Sequence, residues 1–256
     1  MENGYVKLDT HEGIARVTFH HPKSNSLPGT VLRDMAEAIT KAGKDPAVRV
    51  IILQSDGDKA FCAGASFDEL LAIGSEEEGK EFFSGFAGVI NAIRKADCFV
   101  LGRIHGKAVG GGVGLACAVD IAYATENASA RLSELAIGIG PFVVGPAVER
   151  KVGTAAFAYM SATPANWQDA AWCKAHGLYA EVFPTRELLD DAILAHAAQL
   201  STYGPEAMRE LKRITWRGTE DWDELLLERA AMSGRLVLSE FTTKAIARFK
   251  EAARQG

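Results

Sequence analysis

The stretch Gly106-Lys107-Ala108-Val109-Gly110-Gly111-Gly112-Val113-Gly114-Leu115-Ala116 decides how this chain is read. It follows the strand-like run Phe99 to Ile104 and leads into what reads as a short buried helix from Leu115 to Val119. Glycines let backbone N–H groups come close to a ligand, and the first N–H groups of a helix carry the positive end of its dipole. A second glycine-bearing loop, Phe61-Cys62-Ala63-Gly64-Ala65, stands about forty-five residues upstream. Two such loops can grip one oxygen from two sides, which is how main-chain donors alone stabilise an oxyanion. Two other readings compete for the glycines. A dinucleotide fingerprint needs a glycine in its sixth place, where counting from Gly110 or Gly112 gives Leu115 or Cys117. Close packing of a strand against a helix is the plainer alternative.

Working outward, Tyr5 to Leu8 and Ile14 to Phe19 are β-rich runs joined through Thr10-His11-Glu12-Gly13 as a hairpin. Val31, Leu32, Met35 and Ile39 recur at helical spacing between Thr30 and Ala42. Val48 to Leu53 is a run apolar but for Arg49, the mark of a strand covered on both faces. A charged helix follows from Glu76 to Lys95, then the strand before the triple glycine, then another at Ile121 to Tyr123. Strand, helix and strand in alternation predict a parallel sheet with crossover helices. Beyond about residue 145 the pattern predicts helices alone, over Val148 to Met160, Trp167 to Ala175, Arg186 to Leu200, Pro205 to Ile214 and Trp222 to Ala253. Their apolar surface exceeds what one layer of helices covers, so contact with other subunits is expected.

The chain has 256 residues, 48% of them hydrophobic and 24% charged, enough for a sizeable core. A formal net charge of −5 leaves no basic surplus for nucleic acid or anionic membranes. Cys62, Cys98, Cys117 and Cys173 are far apart, with no zinc-ligand spacing, and read as reduced, buried thiols. No metal site is expected. The first residues show no basic and apolar leader pattern and Ala108 to Val119 is too short to span a bilayer, so the expected compartment is the cytoplasm.

An oxyanion grip needs a proton handler beside it. Glu134 is the candidate, because it enters a long stretch, Leu135 to Val144, without any ionisable group. Burial there disfavours the charged carboxylate and moves its pKa toward neutrality. A glutamate that caps a helix or pairs with Arg131 is the alternative. His20 and His21 lack a nucleophile-elbow partner and read as a solvated pair, while Cys62 reads as core packing. Asp68 and Glu69 open a helix, where acidic residues favour the dipole. Asp120 is expected to close the turn after the glycine-initiated helix. Phe67, Leu70, Leu71, Phe82, Phe83 and Phe86 read either as an apolar pocket or as ordinary core.

Taken together, His21-Pro22-Lys23-Ser24-Asn25-Ser26-Leu27, Phe61 to Ala65, Gly106 to Ala116, Asp120 and Ser133 to Ile139 resemble the enoyl-CoA hydratase/isomerase, or crotonase, family. The resemblance implies an α/β spiral of ββα repeats over residues 1–195 and a C-terminal helical trimerisation region over 196–256. It implies a homotrimer or dimer of trimers acting on an acyl-CoA thioester, with no cofactor beyond the coenzyme A of the substrate. The family's two oxyanion donors fall on the N–H groups of Ala65 and Gly111. Lys23 and Leu27 match the loop bordering the CoA nucleotide; Ala63 and the run Ala65, Ser66, Phe67 and Asp68 match the segment along the pantetheine. Gly110, Pro141 and Phe142 match the walls of the acyl site, and Lys250 aligns with a residue that reaches a phosphate.

Hydratases of the family carry two glutamates, and here the first of those positions is Gly114. Only Glu134 stands. Phe142-Val143-Val144 replaces a glycine-rich run, which predicts a bulkier and drier wall, and Ser66 and Asp68 differ from the usual residues. One carboxylate can take a proton α to the thioester and return it two carbons away, so a double-bond shift is favoured over hydration. The alternative is a non-catalytic acyl-CoA-binding scaffold with a retired site.

Overall fold

The computed structural model describes residues 4–255, with side chains as far as residue 248. The first half alternates strands and helices: β1 (Tyr5–His11), β2 (Ile14–His20), β3 (Ser26–Leu27), α1 (Gly29–Lys44), β4 (Val50–Ser55), β5 (Ala60–Cys62), β6 (Gly64–Ala65), α2 (Phe67–Ala72) and α3 (Glu76–Lys95). Next come β7 (Phe99–Ile104), β8 (Lys107–Val109), α4 (Gly111–Ala118), β9 (Ile121–Thr125), β10 (Ser129–Arg131) and a single 3-10 turn, Glu134–Ile137. The second half holds α5 (Gly145–Val152), α6 (Thr154–Ala162), β11 (Gln168–Asp169), α7 (Ala170–Ala175), β12 (Glu181–Phe183), α8 (Arg186–Ser201), α9 (Pro205–Thr215), α10 (Trp222–Val237) and α11 (Glu240–Gln255).

A six-stranded sheet runs β1-β2-β4-β7-β9-β12, antiparallel only between β1 and β2. A smaller sheet runs β11-β10-β8-β5. Each turn of the chain places one strand in the large sheet and the next in the small one, as β4 then β5, β7 then β8, and β9 then β10. This is the α/β spiral. Its central strands β4 and β7 are buried on both faces: Val50, Ile51, Ile52 and Leu53 on β4 are at most 1% exposed.

Local rules explain most elements. The hairpin turn is Glu12-Gly13, both at positive φ (50° and 78°), as the tight primed turn of a two-residue loop requires. On α1, Val31, Leu32, Met35 and Ile39 all lie in the core. Its N-terminus has Pro28 at the cap and no side-chain cap of its own; Glu69 of α2 supplies the acceptor instead, 2.8 Å from Gly29 N. Ser75 caps α3.

Several expectations need correction. The chain beyond residue 145 is not purely helical, for β11 precedes α7 and β12 completes the large sheet beside β9. Both strands are too short to show a periodicity. The predicted helix Val148 to Met160 is two helices, broken at Gly153 (φ 81°), and Trp222 to Ala253 is broken between Val237 and Glu240. The glycine-initiated helix starts at Gly111, earlier than Leu115, and the boundary between residues 195 and 196 falls inside α8. Part of the expected spare apolar surface is covered within the chain: Trp222, Leu226 and Ala230 of α10 are buried, and α10 packs along α3.

Asp120 does more than close a turn. Its carboxylate accepts from Val100 N (2.7 Å) and Trp216 Nε1 (2.6 Å) and pairs with Lys212 Nζ at 3.0 Å. Lys212 Nζ also donates to the carbonyls of Ile93 and Cys98, and the lysine is only 2% exposed. The helical tail is thus locked to the spiral by one fully bonded buried ion pair.

Candidate active site

Two loops meet at the end of the small sheet. The first is positioned by Asn25, whose side chain accepts from His21 N (2.7 Å) and donates to the carbonyls of Asp56 (3.0 Å) and Ala60 (2.9 Å). Asn25 and Ser24 both adopt positive φ, so the His21 to Leu27 motif is a built bend rather than an open loop. From it β3 pairs with β6 in parallel, Leu27 opposite Ala65, while Ala63 N donates to Asn25 O and Ser66 N to Leu27 O.

The second loop ends β8. Gly110 has φ 51° and ψ −114°, a conformation left to glycine, and its N–H donates to Arg131 O of β10 (2.9 Å). The chain turns there so that Gly111 begins α4, which leaves its N–H without an acceptor inside the helix. The loops touch. A Cβ placed on Gly112 would lie 2.4 Å from Cys62 O, and one on Gly64 would lie 3.8 Å from Gly111 N. Ala65, the residue after Gly64, and Gly111 line one cavity of about 440 Å³.

Glu134 faces the same cavity from the 3-10 turn. A Cβ on Gly110 would lie 2.8 Å from Glu134 Oε1, so the absence of a side chain at Gly110 is what admits the carboxylate. Its Oε2 is shut from solvent and has no hydrogen-bond partner among the described residues. Burial pushes the carboxyl up from 4.5 to about 7, against a smaller downward pull from the N–H groups of Glu134 itself and Ser133. Among the described residues, Glu134 is the one carboxylate lining the cavity.

Most of the remaining wall is apolar, with Phe67, Leu70, Phe82, Phe83 and Phe86 and with Pro141, Phe142, Val143 and Val144. Gly114 lies behind that wall. A Cβ there would come within 2.4 Å of Val144 Cγ1 and 2.6 Å of Val144 Cβ, so the space of a side chain at Gly114 is filled by valine.

Of the residues expected in the site, Ala63, Ala65, Phe67, Gly110, Gly111, Glu134, Pro141 and Phe142 line the cavity. Others do not. Leu27 is fully buried in the core and Leu71 packs in a separate cluster with Ile139 and Val237. Ser66 is buried and caps α2 through Glu69 N. Lys23 forms an exposed ion pair with Asp68, outside the cavity lining. The side chain of Lys250 lies outside the described residues. Cys62 is core, its thiol pushed up to about 12 by burial. His21 corrects the solvated-pair reading: it is buried, its Nδ1 faces Lys23 N at 3.4 Å, and burial lowers its pKa.

Arg131 does not pair with Glu134. It lines the cavity, as do Ser133, Ile137, Pro164, Ala165 and Ser233. Pro164, Ala165 and Ser233 come from the loop after α6 and from α10, and nothing in their local sequence marks them as site residues. Spatial return of the tail brings them in.

The family profile of enoyl-CoA hydratase/isomerase matches residues 9–254. Carnitinyl-CoA dehydratase of Proteus mirabilis (strain HI4320) is 30% identical over 227 residues, 84% of this chain and 81% of that protein. The mitochondrial Delta(3,5)-Delta(2,4)-dienoyl-CoA isomerase of Pongo abelii is 26% identical over 211 residues, which cover 78% of this chain but 64% of the isomerase. Among solved structures, an enoyl-CoA hydratase from Mycobacterium avium subsp. paratuberculosis K-10 superposes with a TM-score of 0.83 at 25% identity, covering 96% of both chains. An enoyl-CoA hydratase from Bacillus halodurans shares the fold with a TM-score of 0.88 at 19% identity, over 95% of this chain and 99% of the other. With the profile spanning nearly its whole length, the chain belongs to the enoyl-CoA hydratase/isomerase family.

Proposed function

We propose that the protein is an acyl-CoA enzyme that moves a carbon–carbon double bond, using Glu134 as its only acid and base. The observation that carries this is a single carboxylate, among the described residues, in a cavity where the position of the family's second carboxylate, Gly114, is closed by Val144. A hydration must activate a water and deliver a proton, and among the described residues the lining holds no second carboxylate and no histidine, cysteine, lysine or tyrosine. Isomerisation needs only one group. Glu134 takes a proton from C2 of a 3-enoyl thioester, and the electrons of that C–H bond move into a dienolate whose charge collects on the thioester oxygen. The N–H groups of Ala65 and Gly111 hold that oxygen. Protonated Glu134 then returns the proton to C4, and the double bond rests between C2 and C3. Its raised pKa suits both halves, because the group gives and takes a proton near neutral pH.

The exposed apolar residues Leu211, Ile214 and Phe241 of the tail support assembly as a homotrimer or a dimer of trimers. Four free, buried cysteines fit a reducing compartment such as the cytoplasm. No helix of the described residues is long and apolar enough to cross a membrane.

Purified protein is offered 3-enoyl-CoA and 2-enoyl-CoA, with the 2-enoyl and 3-hydroxyacyl products separated. The expected result is conversion of the 3-enoyl to the 2-enoyl thioester at least tenfold faster than water addition, with Glu134→Gln slower by about 10²- to 10⁴-fold. Full turnover by Glu134→Gln would remove Glu134 from the mechanism.

A further inference from the structure

Proton transfer by Glu134 leaves one charged group of the cavity without a task. The register of the small sheet sets Ala130 beside Ala108 and Arg131 beside Val109. Both alanines are fully buried in the core, so strand alternation turns Val109 and Arg131 to the opposite face, onto which the cavity opens. There the Arg131 guanidinium lies over Trp167, its central carbon 4.4 Å from the ring centre, beside Pro164 and Ala165. Stacking of this kind fixes the plane of the fork.

Among the described residues no carboxylate comes within the 4.0 Å of an ion pair, Glu134 included, and Arg131 Nε is buried without an acceptor. Lys107 Nζ lies over the same indole at 5.0 Å and is likewise without an acidic partner. Arg131, in the cavity lining, and Lys107, exposed and outside it, share one ring with no counter-charge among the described residues, which leaves the Arg131 end of the cavity positive. The buried Nε–H without an acceptor is costly, and a carboxylate can meet two N–H groups of a guanidinium at once.

Resting on the acyl-CoA reading above, we propose that the acyl group this site selects ends in a carboxylate, and that Arg131 receives it. The substrate class is the monothioester of a dicarboxylic acid. Arg131 is then specificity-determining: it touches the tail of the substrate and takes no part in the proton transfer.

The test uses saturated thioesters, which bind but offer no double bond to move. Calorimetry compares succinyl-CoA with butyryl-CoA, adipoyl-CoA with hexanoyl-CoA, and suberoyl-CoA with octanoyl-CoA, on wild type, Arg131→Lys and Arg131→Met. At the chain length that fits, wild type should bind the carboxylated member about ten- to a hundredfold more tightly. Arg131→Lys, which keeps the charge and loses the fork, should fall between, and Arg131→Met should abolish the preference. A wild-type ratio of one or less at every length would overturn the proposal whether or not the variants fold, and so would a preference that Arg131→Met leaves intact. If neither member of any pair bound, the acyl-CoA reading itself would fail. Equal binding of both members would sink only the carboxylate.

Discussion

Replacing Glu134 by glutamine should cost the enzyme its chemistry and make the fold more stable, and the second effect has a definite pH dependence. The folded carboxyl has a pKa of about 7 against 4.5 for the free group. Between those values the folded chain binds more protons than the unfolded one. The protonated carboxyl's contribution is therefore fully present below pH 4.5 and is lost as pH rises through 7. The interval of about 2.5 units corresponds to about 3 kcal/mol at roughly 1.4 kcal/mol per unit. Glutamine has no such slope. Urea melts of both proteins at pH 5 and pH 8.5 should thus show Glu134→Gln close to wild type at the lower pH and more stable by about 3 kcal/mol at the higher. The pH profile of kcat/KM should report the same group, falling about tenfold per unit below pH 7 as the base is protonated. Equal stability differences at both pH values would show that the carboxyl is solvated, and the account of its raised pKa would be wrong.

Other substitutions test the frame around it. Gly114→Glu, which restores the residue type that hydratases carry, should be destabilised by more than about 1–3 kcal/mol, since its Cβ would meet Val144 Cγ1 at 2.4 Å and the valine's own Cβ cannot turn away. The double variant with Val144→Gly should recover stability and, alone of the set, gain water addition; a stable single variant on denaturant melting would refute the closure. Lys212→Met strands the buried Asp120 carboxylate and two carbonyls, so a loss of about 3–5 kcal/mol is expected on denaturation, and a loss below about 1 kcal/mol would show that the ion pair does not lock the tail.

Legibility in the sequence followed element length and range of contact. Val50 to Leu53, the α1 stripe and the glycine loop each carry a pattern within a few residues, and each forms the element that its pattern dictates. The two- and three-residue strands β3, β6, β11 and β12 have no period to read, and they exist because a neighbouring strand offers an edge. Asn25 illustrates a different loss. It was visible within a motif, but its task of holding Asp56 O and Ala60 O depends on residues more than thirty positions away.

The site divides along the same line. Glu134 could be picked out because its surroundings are a sequence fact: no ionisable group follows it for fourteen residues, and a carboxylate there has few ways to stay solvated. Gly114 could be seen only as something missing. What the missing side chain means depends on whether its place is left open, where a water could enter, or is taken by another group, and a linear reading does not distinguish these. Val144 stands thirty residues further on and settles the matter by contact. Arg131 shows the converse case, a residue three positions before the candidate base that invites pairing with it by proximity in the chain. Strand alternation and the Trp167 ring direct the guanidinium elsewhere, so a charge that looked like a neighbour of the base becomes a feature of the cavity wall. A vacant position and an unpaired charge acquire chemical meaning only from what the fold sets opposite them.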